Sequence, residues 1–277
     1  DPQVRQATAT LLASYVRDTK DSVSAHLHSL LIIAVKLLGD TAESVRAAAV
    51  QTLESLTQSA AKDESSQLNY IASMTEILDS TADELAKIGA KYLAGFSLPK
   101  ALTQPINVYL QVLRINSSSA RIKACQGIKL MMQLCDVNAL KAYVMVLMGP
   151  HIRILSERTG STSKARMALL DCIVTMMRLV PTHLRAFAVQ LQSILIKQLY
   201  DKENEMEVRQ EAAQGVSLLL ELGAKIDFLL KDVFKALNES IANEVSPQHI
   251  LQALKLLLAA LVKNTAAPRP SPQSMQD

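Results

Sequence analysis

The chain has 277 residues, 49% of them apolar and 20% charged, with a formal net charge of +3. That much apolar surface excludes disorder as the default state, and so small a spread-out basic excess argues against nucleic acid as the main partner. Eight glycines, no Trp, four Phe and six Tyr leave too few turn-formers and rings for a sandwich, barrel or doubly wound sheet, so the composition reads as all-α.

Taken in chain order, the sequence opens on Asp1-Pro2-Gln3-Val4-Arg5, without an initiator Met or a signal-peptide pattern, as expected of a segment excised from a longer chain. Val4-Arg5-Gln6-Ala7 is the first copy of a pattern: an aliphatic residue, a basic one, then small or apolar ones. An apolar stretch from Leu27 to Leu38 and a helix-ending Gly39 precede the second copy, Val45-Arg46-Ala47-Ala48, which continues as a helix through Leu53 and Leu56. A degenerate copy is expected at Leu85. Pro105 opens the next apolar stretch, Ile106 to Ile115, and Ile122-Lys123-Ala124-Cys125 starts the following helix, through Leu130 and Leu134. Gly149-Pro150, inside the stretch from Asn138 to Ser156, is expected to break or kink its helix. A degenerate copy at Ala165, an apolar stretch from Leu184 to Leu199 behind Pro181, and the clear copy Val208-Arg209-Gln210-Glu211 follow. That copy runs on through Leu218 and Leu222 to Gly223, after which come the stretch Ile226 to Leu237 and a last degenerate copy at Ser246. From Ala266 the Pro-rich end has no apolar periodicity and reads as a disordered tail or linker.

A period of about forty residues with two amphipathic helices per unit is the signature of a HEAT or armadillo solenoid. The two-helix form and the run from Asp40 to Arg46 favour HEAT. The expected architecture is a right-handed superhelix of about six to seven helix pairs over residues 1–265, followed by the tail at 266–277. A lone pair leaves one apolar face wet, so the units share a continuous core. The recurring Asp and Arg, as in Asp40 with Arg46 and Asp201 with Arg209, are expected to form an internal ladder that satisfies loop backbone, not partner contacts.

Catalytic chemistry is missing from the pattern. There is no Gly-rich phosphate loop, no G-x-S-x-G, no H-E-x-x-H and no His and Cys paired at metal spacing. His26 and His28, two apart, would point about 200° apart on a helix. Cys125, Cys135 and Cys172 are an odd number without C-x-x-C spacing, which suggests reduced intracellular thiols, and no apolar run is long enough for a bilayer span. The methionines Met131, Met132, Met145, Met148, Met176 and Met177 are read as core filler, and the acidic run from Asp201 to Glu207 as a solvated loop. The expectation is a non-enzyme without cofactor or metal, located in the cytoplasm.

One set of segments is more specific. Gly95-Phe96-Ser97-Leu98-Pro99-Lys100-Ala101-Leu102, Ala139-Leu140-Lys141-Ala142-Tyr143-Val144 and Gly149-Pro150-His151-Ile152-Arg153-Ile154-Leu155-Ser156-Glu157-Arg158 occur in that order. Leu184-Arg185-Ala186-Phe187 and Gln190-Leu191-Gln192 follow, a few residues before Lys197. Together they resemble the C-terminal HEAT array of the general control non-derepressible 1 family, a very large translational activator that senses stalled ribosomes. The resemblance covers about Gly95 to Ala260, while the first two repeats are generic. It departs from the family at Ser193-Ile194-Leu195, where Arg-Thr-Phe is common, and at Ser161 to Lys164, which replace an aromatic-containing turn.

The resemblance implies a region that receives the RWD domain of the general control non-derepressible kinase, so that the kinase phosphorylates the alpha subunit of translation initiation factor two during amino-acid starvation. Within the matching segment, Arg153 is expected to be the central anchor, with Arg158, Lys164 and Arg166 as a basic rim. The competing expectation is that Arg153 caps a helix end or pairs with Glu157 at i, i+4. Other classes of function stay open. A transport receptor or phosphatase scaffold would share the periodicity, although Trp is absent, and Arg114, Arg121, Lys123 and Lys129 would serve contact with ribosome or RNA.

Overall fold

A computed structural model describes residues 1–19, 23–157, 162–242 and 245–263; the expected tail lies outside them. The described residues form α-helices and short 3-10 turns, with no strand among them, in two compact units, Asp1–Tyr143 and Val144–Asp277.

The first unit holds α1 (Pro2–Asp18), α2 (Leu27–Leu38), α3 (Glu43–Ala60), α4 (Glu64–Lys87), α5 (Thr103–Arg114), α6 (Ser118–Leu134) and the single turn α7 (Val137–Leu140). Local chemistry fixes the starts. The side chains of Asp1, Asp63, Ser117 and Asp136 accept from backbone amides in the first turn of α1, α4, α6 and α7, which would otherwise lack partners. Packing fixes the rest: α1 lies on α3 and α2 on α4, each helix resting on the next but one, while α2 and α3 pack as a pair. Thr52 donates its hydroxyl to the Ala9 carbonyl (2.8 Å), tying α3 to α1 across one repeat. Tyr70 and Tyr109, both fully buried, meet edge to face at 6.5 Å. Their hydroxyls are paired with those of Thr57 (3.0 Å) and Thr75 (2.9 Å), so the rings are buried without leaving a polar atom bare.

The repeat starts expected at Val4, Val45, Ile122 and Val208 all fall in the first turn or so of a helix. The one expected at Leu85 does not: Leu85 lies in the last turn of α4, a 24-residue helix. Residues 88–102 contain only a 3-10 turn, Ala94–Ser97, where a second helix of that repeat was due. The turn carries its own apolar load, since Phe96, Ala101 and Leu102 are buried and Leu93 donates to the Leu134 carbonyl (2.9 Å). Gly95 packs so closely on Leu38 that a Cβ there would overlap its side chain. Beyond this short crossing α6 packs on α4 and α5 on α3, so the basic-motif helix changes row.

The second unit holds α8 (Val144–Ser156), α9 (Ser163–Leu179), α10 (Ala188–Tyr200), α11 (Met206–Leu218), α12 (Ile226–Ala242) and α13 (Gln248–Lys263). Here α8, α10 and α12 form one row and α9, α11 and α13 the other. Contrary to expectation, Pro150 neither ends nor splits its helix, and α8 runs through it. The ring removes one backbone donor, but Leu147, Met148, Ile154 and Leu155 bury the helix on both sides of it and hold the turn in place. Met131, Met132, Met148, Met176 and Met177 are core residues as expected, whereas Met145 is exposed.

Candidate protein-docking surface

The ladder comes first because it decides which arginines are committed. In the first unit Arg5 of α1 reaches Asp40, ahead of α3, through Nε (2.6 Å) and Nη2 (3.0 Å). Arg46 of α3 donates to the Asp40 carbonyl (2.7 Å) and the Thr41 carbonyl (2.8 Å). The Arg5 bonds, then the Ala42 amide, hold the Asp40 carboxyl down at about 2, below its ordinary 3.8. The second unit repeats the arrangement at the same step. Arg166 of α9 lies 3.9 Å from the Asp201 carboxylate, and Arg209 of α11 donates to the Asp201 carbonyl (3.1 Å). One aspartate thus joins two successive motif arginines, one through its side chain and one through its backbone. The loop from Asp201 is only partly solvated, with Asn204 buried and donating to the Gln198 carbonyl (2.9 Å) and side-chain oxygen (2.8 Å).

The sequence-expected site residues fall into different surroundings. Arg153 stands in the last turn of α8, 61% exposed, with Glu157 at 3.6 Å one turn on and 54% exposed. Lys164 is exposed in the first turn of α9. Arg166, two residues later, points to the other side of that helix, where its side chain is 14% exposed against Asp201 and Glu203 (3.4 Å). Arg158 lies outside the described residues. Of the basic residues considered for RNA, Arg121 is buried and donates to the Leu113 carbonyl (3.3 Å), while Arg114 and Lys123 are exposed.

Tertiary packing also joins a His and a Cys that sequence spacing kept apart. Ligand atoms of His151 in α8 and Cys172 in α9 lie within 4.8 Å of each other, and both residues are fully buried. His151 Nδ1 sits 2.7 Å from the Leu147 carbonyl of its own helix. Burial removes the pair from any surface contact. Sequence reasoning also missed a groove between α10 and α12, because its lining comes from a turn, a loop and two helices that share no local motif.

Known proteins bear on this geometry. A family model described as stalled ribosome sensor GCN1-like, HEAT repeats, matches residues 1–100. The stalled ribosome sensor GCN1 of Mus musculus is 28% identical over 256 residues, 92% of this chain and 9% of that protein. The eIF-2-alpha kinase activator GCN1 of Dictyostelium discoideum is 26% identical over 255 residues, again 92% of this chain and 9% of its own length. The human stalled ribosome sensor GCN1 is 27% identical over 256 residues, with the same shares.

The chain is similar to a HEAT-repeat region of the GCN1 family. It spans about a tenth of the length of these relatives. The family model falls on the first hundred residues, the part whose repeats read as generic, and most of the stretch that carries the resemblance lies beyond it. Several of the resembling residues, Phe96, Leu140, Val144, His151 and Leu184 among them, are buried, so their pattern records packing. Arg153 is among those that face solvent, as are Lys100, Lys141, Glu157 and Arg185. No helix among the described residues is long and apolar enough to cross a membrane.

Proposed function

We propose that this region is a non-catalytic docking scaffold, acting in the cytoplasm, that receives the RWD domain of the general control non-derepressible kinase. On a ribosome-bound full-length protein, that docking would present the kinase to the alpha subunit of translation initiation factor two in amino-acid starvation. The observation that supports the reading is the state of Arg153. Its ion pair with Glu157 is solvent-exposed and longer than a good hydrogen bond, so a partner carboxylate displaces Glu157 at little cost. The ladder arginines Arg5, Arg46 and Arg209 are already engaged with aspartates or loop carbonyls and offer no such opening. In this reading Arg153 is the anchor and Lys164 the exposed rim charge. Arg158 adjoins them in sequence, and Arg166 contributes to the field while held by Asp201 and Glu203.

The test is calorimetric titration of the chain with the kinase's RWD domain, alongside Arg153→Glu and Lys164→Glu, after circular dichroism has shown all three to be equally helical. Arg153→Glu is expected to weaken binding about thirtyfold or more, as loss of a central interface arginine worth about 2 kcal/mol does. Lys164→Glu, at the rim, is expected to cost severalfold at low salt and little at high salt. Unchanged affinity for Arg153→Glu removes the anchor, and no binding by the wild type removes the docking function.

A further inference from the structure

The second unit carries a groove of about 860 Å³ that the proposed RWD contact does not use. One wall is the start of α10, the other is α12, and the floor is the turn between α11 and α12 through Leu222 and Gly223. Gly223 has φ +85, a backbone conformation that a side chain strains, and this lets the chain turn sharply and leave the floor low. Two exposed apolar side chains line it, Val189 at 82% exposure and Phe228 at 62%. Neither is needed to seal the core, since Leu191, Leu195, Leu229 and Leu230 do that from the inner faces of the same helices.

The charges at the rim differ in whether they are taken. Asp232 is the one carboxylate of the lining, and it accepts from Gln192 Nε2 at 2.7 Å across the groove. Arg185 and Lys225 line the same groove, and neither forms an ion pair among the described residues. Lys225, just before α12, instead lies 5.9 Å from the centroid of the Phe228 ring, a cation-π contact three residues along the chain. The lining thus presents apolar anchors between two uncommitted cations, with its single anion already satisfied by a neighbour.

We infer that the groove between α10 and α12 is a docking site for an acidic amphipathic helix of another protein. Such a helix would lay Leu or Phe side chains between Val189 and Phe228 and turn its carboxylates to Arg185 and Lys225. The volume suits a few large side chains, and the pattern of apolar anchors flanked by charge is that of helix-in-groove recognition. A basic helix would meet Arg185 and Lys225 as like charges, which sets the sign of the specificity. This inference stands apart from the RWD reading, because it uses other residues on other helices.

The probe is a short fluorescein-labelled synthetic peptide with Leu and Phe at i, i+3, i+4 and i+7 and Asp or Glu at the flanking positions, paired with a counterpart in which every acid is Lys. Fluorescence anisotropy with the full chain is expected to show saturable micromolar binding of the acidic peptide, at least about tenfold tighter than the basic one. Phe228→Ala and Val189→Gln, both at exposed positions, are expected to weaken it about fivefold or more without loss of helicity. The double variant Arg185→Glu, Lys225→Glu is expected to reverse the preference toward the basic peptide. Arg153→Glu is expected to leave the peptide affinity unchanged, which separates this site from the RWD contact. Equal binding of the two peptides, undiminished binding by Phe228→Ala, or no saturable binding at micromolar concentration would overturn the inference.

Discussion

Asp40 shows how a single side chain can be structural while looking like a surface charge. Its carboxyl is held at about 2 in the folded chain against an ordinary 3.8, so it contributes stability fully above the ordinary value. That contribution drains away as pH falls through about 2. Thermal unfolding of the wild type is therefore expected to lose midpoint more steeply between about pH 4 and pH 2 than that of Asp40→Asn. At pH 7 the variant is expected to melt lower, because Arg5 loses its bidentate partner, and below the window the two should converge. Two helical glycines give a second contrast. A Cβ on Gly127 would run into the Tyr109 ring, which is pinned by Thr75, itself only 2.6 Å from that Cβ position. On Gly215 it would meet mainly the far end of the Leu195 side chain at 2.7 Å, which can swing aside. Helix propensity favours Ala by about 1 kcal/mol and overpacking costs about 1–3 kcal/mol, so the neighbour's freedom decides the sign. Gly127→Ala is expected to lose at least about 1 kcal/mol in urea denaturation, and Gly215→Ala to stay within about 1 kcal/mol of wild type.

Among the elements, α8 and the crossing at 88–102 were the two places where local rules and tertiary packing disagreed. Pro150 carries a strong helix-breaking signal, yet α8 continues because the residues on either side of it are buried. Gly149 beside it has open space toward other elements where a Cβ would sit, but it precedes Pro150 inside a helix, where the proline Cδ crowds the Cβ of any other residue. Gly149→Ala is therefore expected to fall short of the gain of about 1 kcal/mol that helix propensity alone would give, seen as a nearly unchanged urea midpoint and slope. In the crossing, the degenerate copy at Leu85 misled because α4 takes up the chain that a second helix would have used. The signal that was present is the cluster Gly95-Phe96-Ser97-Leu98-Pro99, too short and too rich in turn-formers for a helix, with Gly95 demanded by the closeness of Leu38.

The whole molecule is divided into two compact units, each with its own alternating rows. Stability in such arrays is a sum of local interfaces, so each unit is expected to open with its own cooperative transition. The cysteines are placed to report it. Cys125 and Cys135 are buried in the first unit and Cys172 in the second, and burial pushes the Cys135 thiol up to about 12, with Asp136 adding to the shift. In native protein none of the three is expected to react with Ellman's reagent over minutes at pH 8. In rising urea Cys172 and Cys135 are expected to become reactive at different denaturant concentrations. Coincident labelling would mean that the array melts as one body.

The sequence by itself determined the all-α class, the forty-residue period and the pairing of Asp40 with motif arginines. These follow from chemistry repeated at a fixed interval, which is legible wherever each helix meets its neighbour at the same offset. The resemblance to the GCN1 family, too, was legible in the order of a few distinctive segments. Tertiary structure alone decided which cations are committed. Arg153 and Arg166 look alike in sequence, but only Arg166 has Asp201 and Glu203 brought against it from thirty-odd residues away. It alone placed His151 beside Cys172, carried α8 through Pro150, and brought Val189 and Phe228 to the lining of one groove. Each of these depends on what a neighbouring helix presents at one point in space, and no spacing along the chain encodes that.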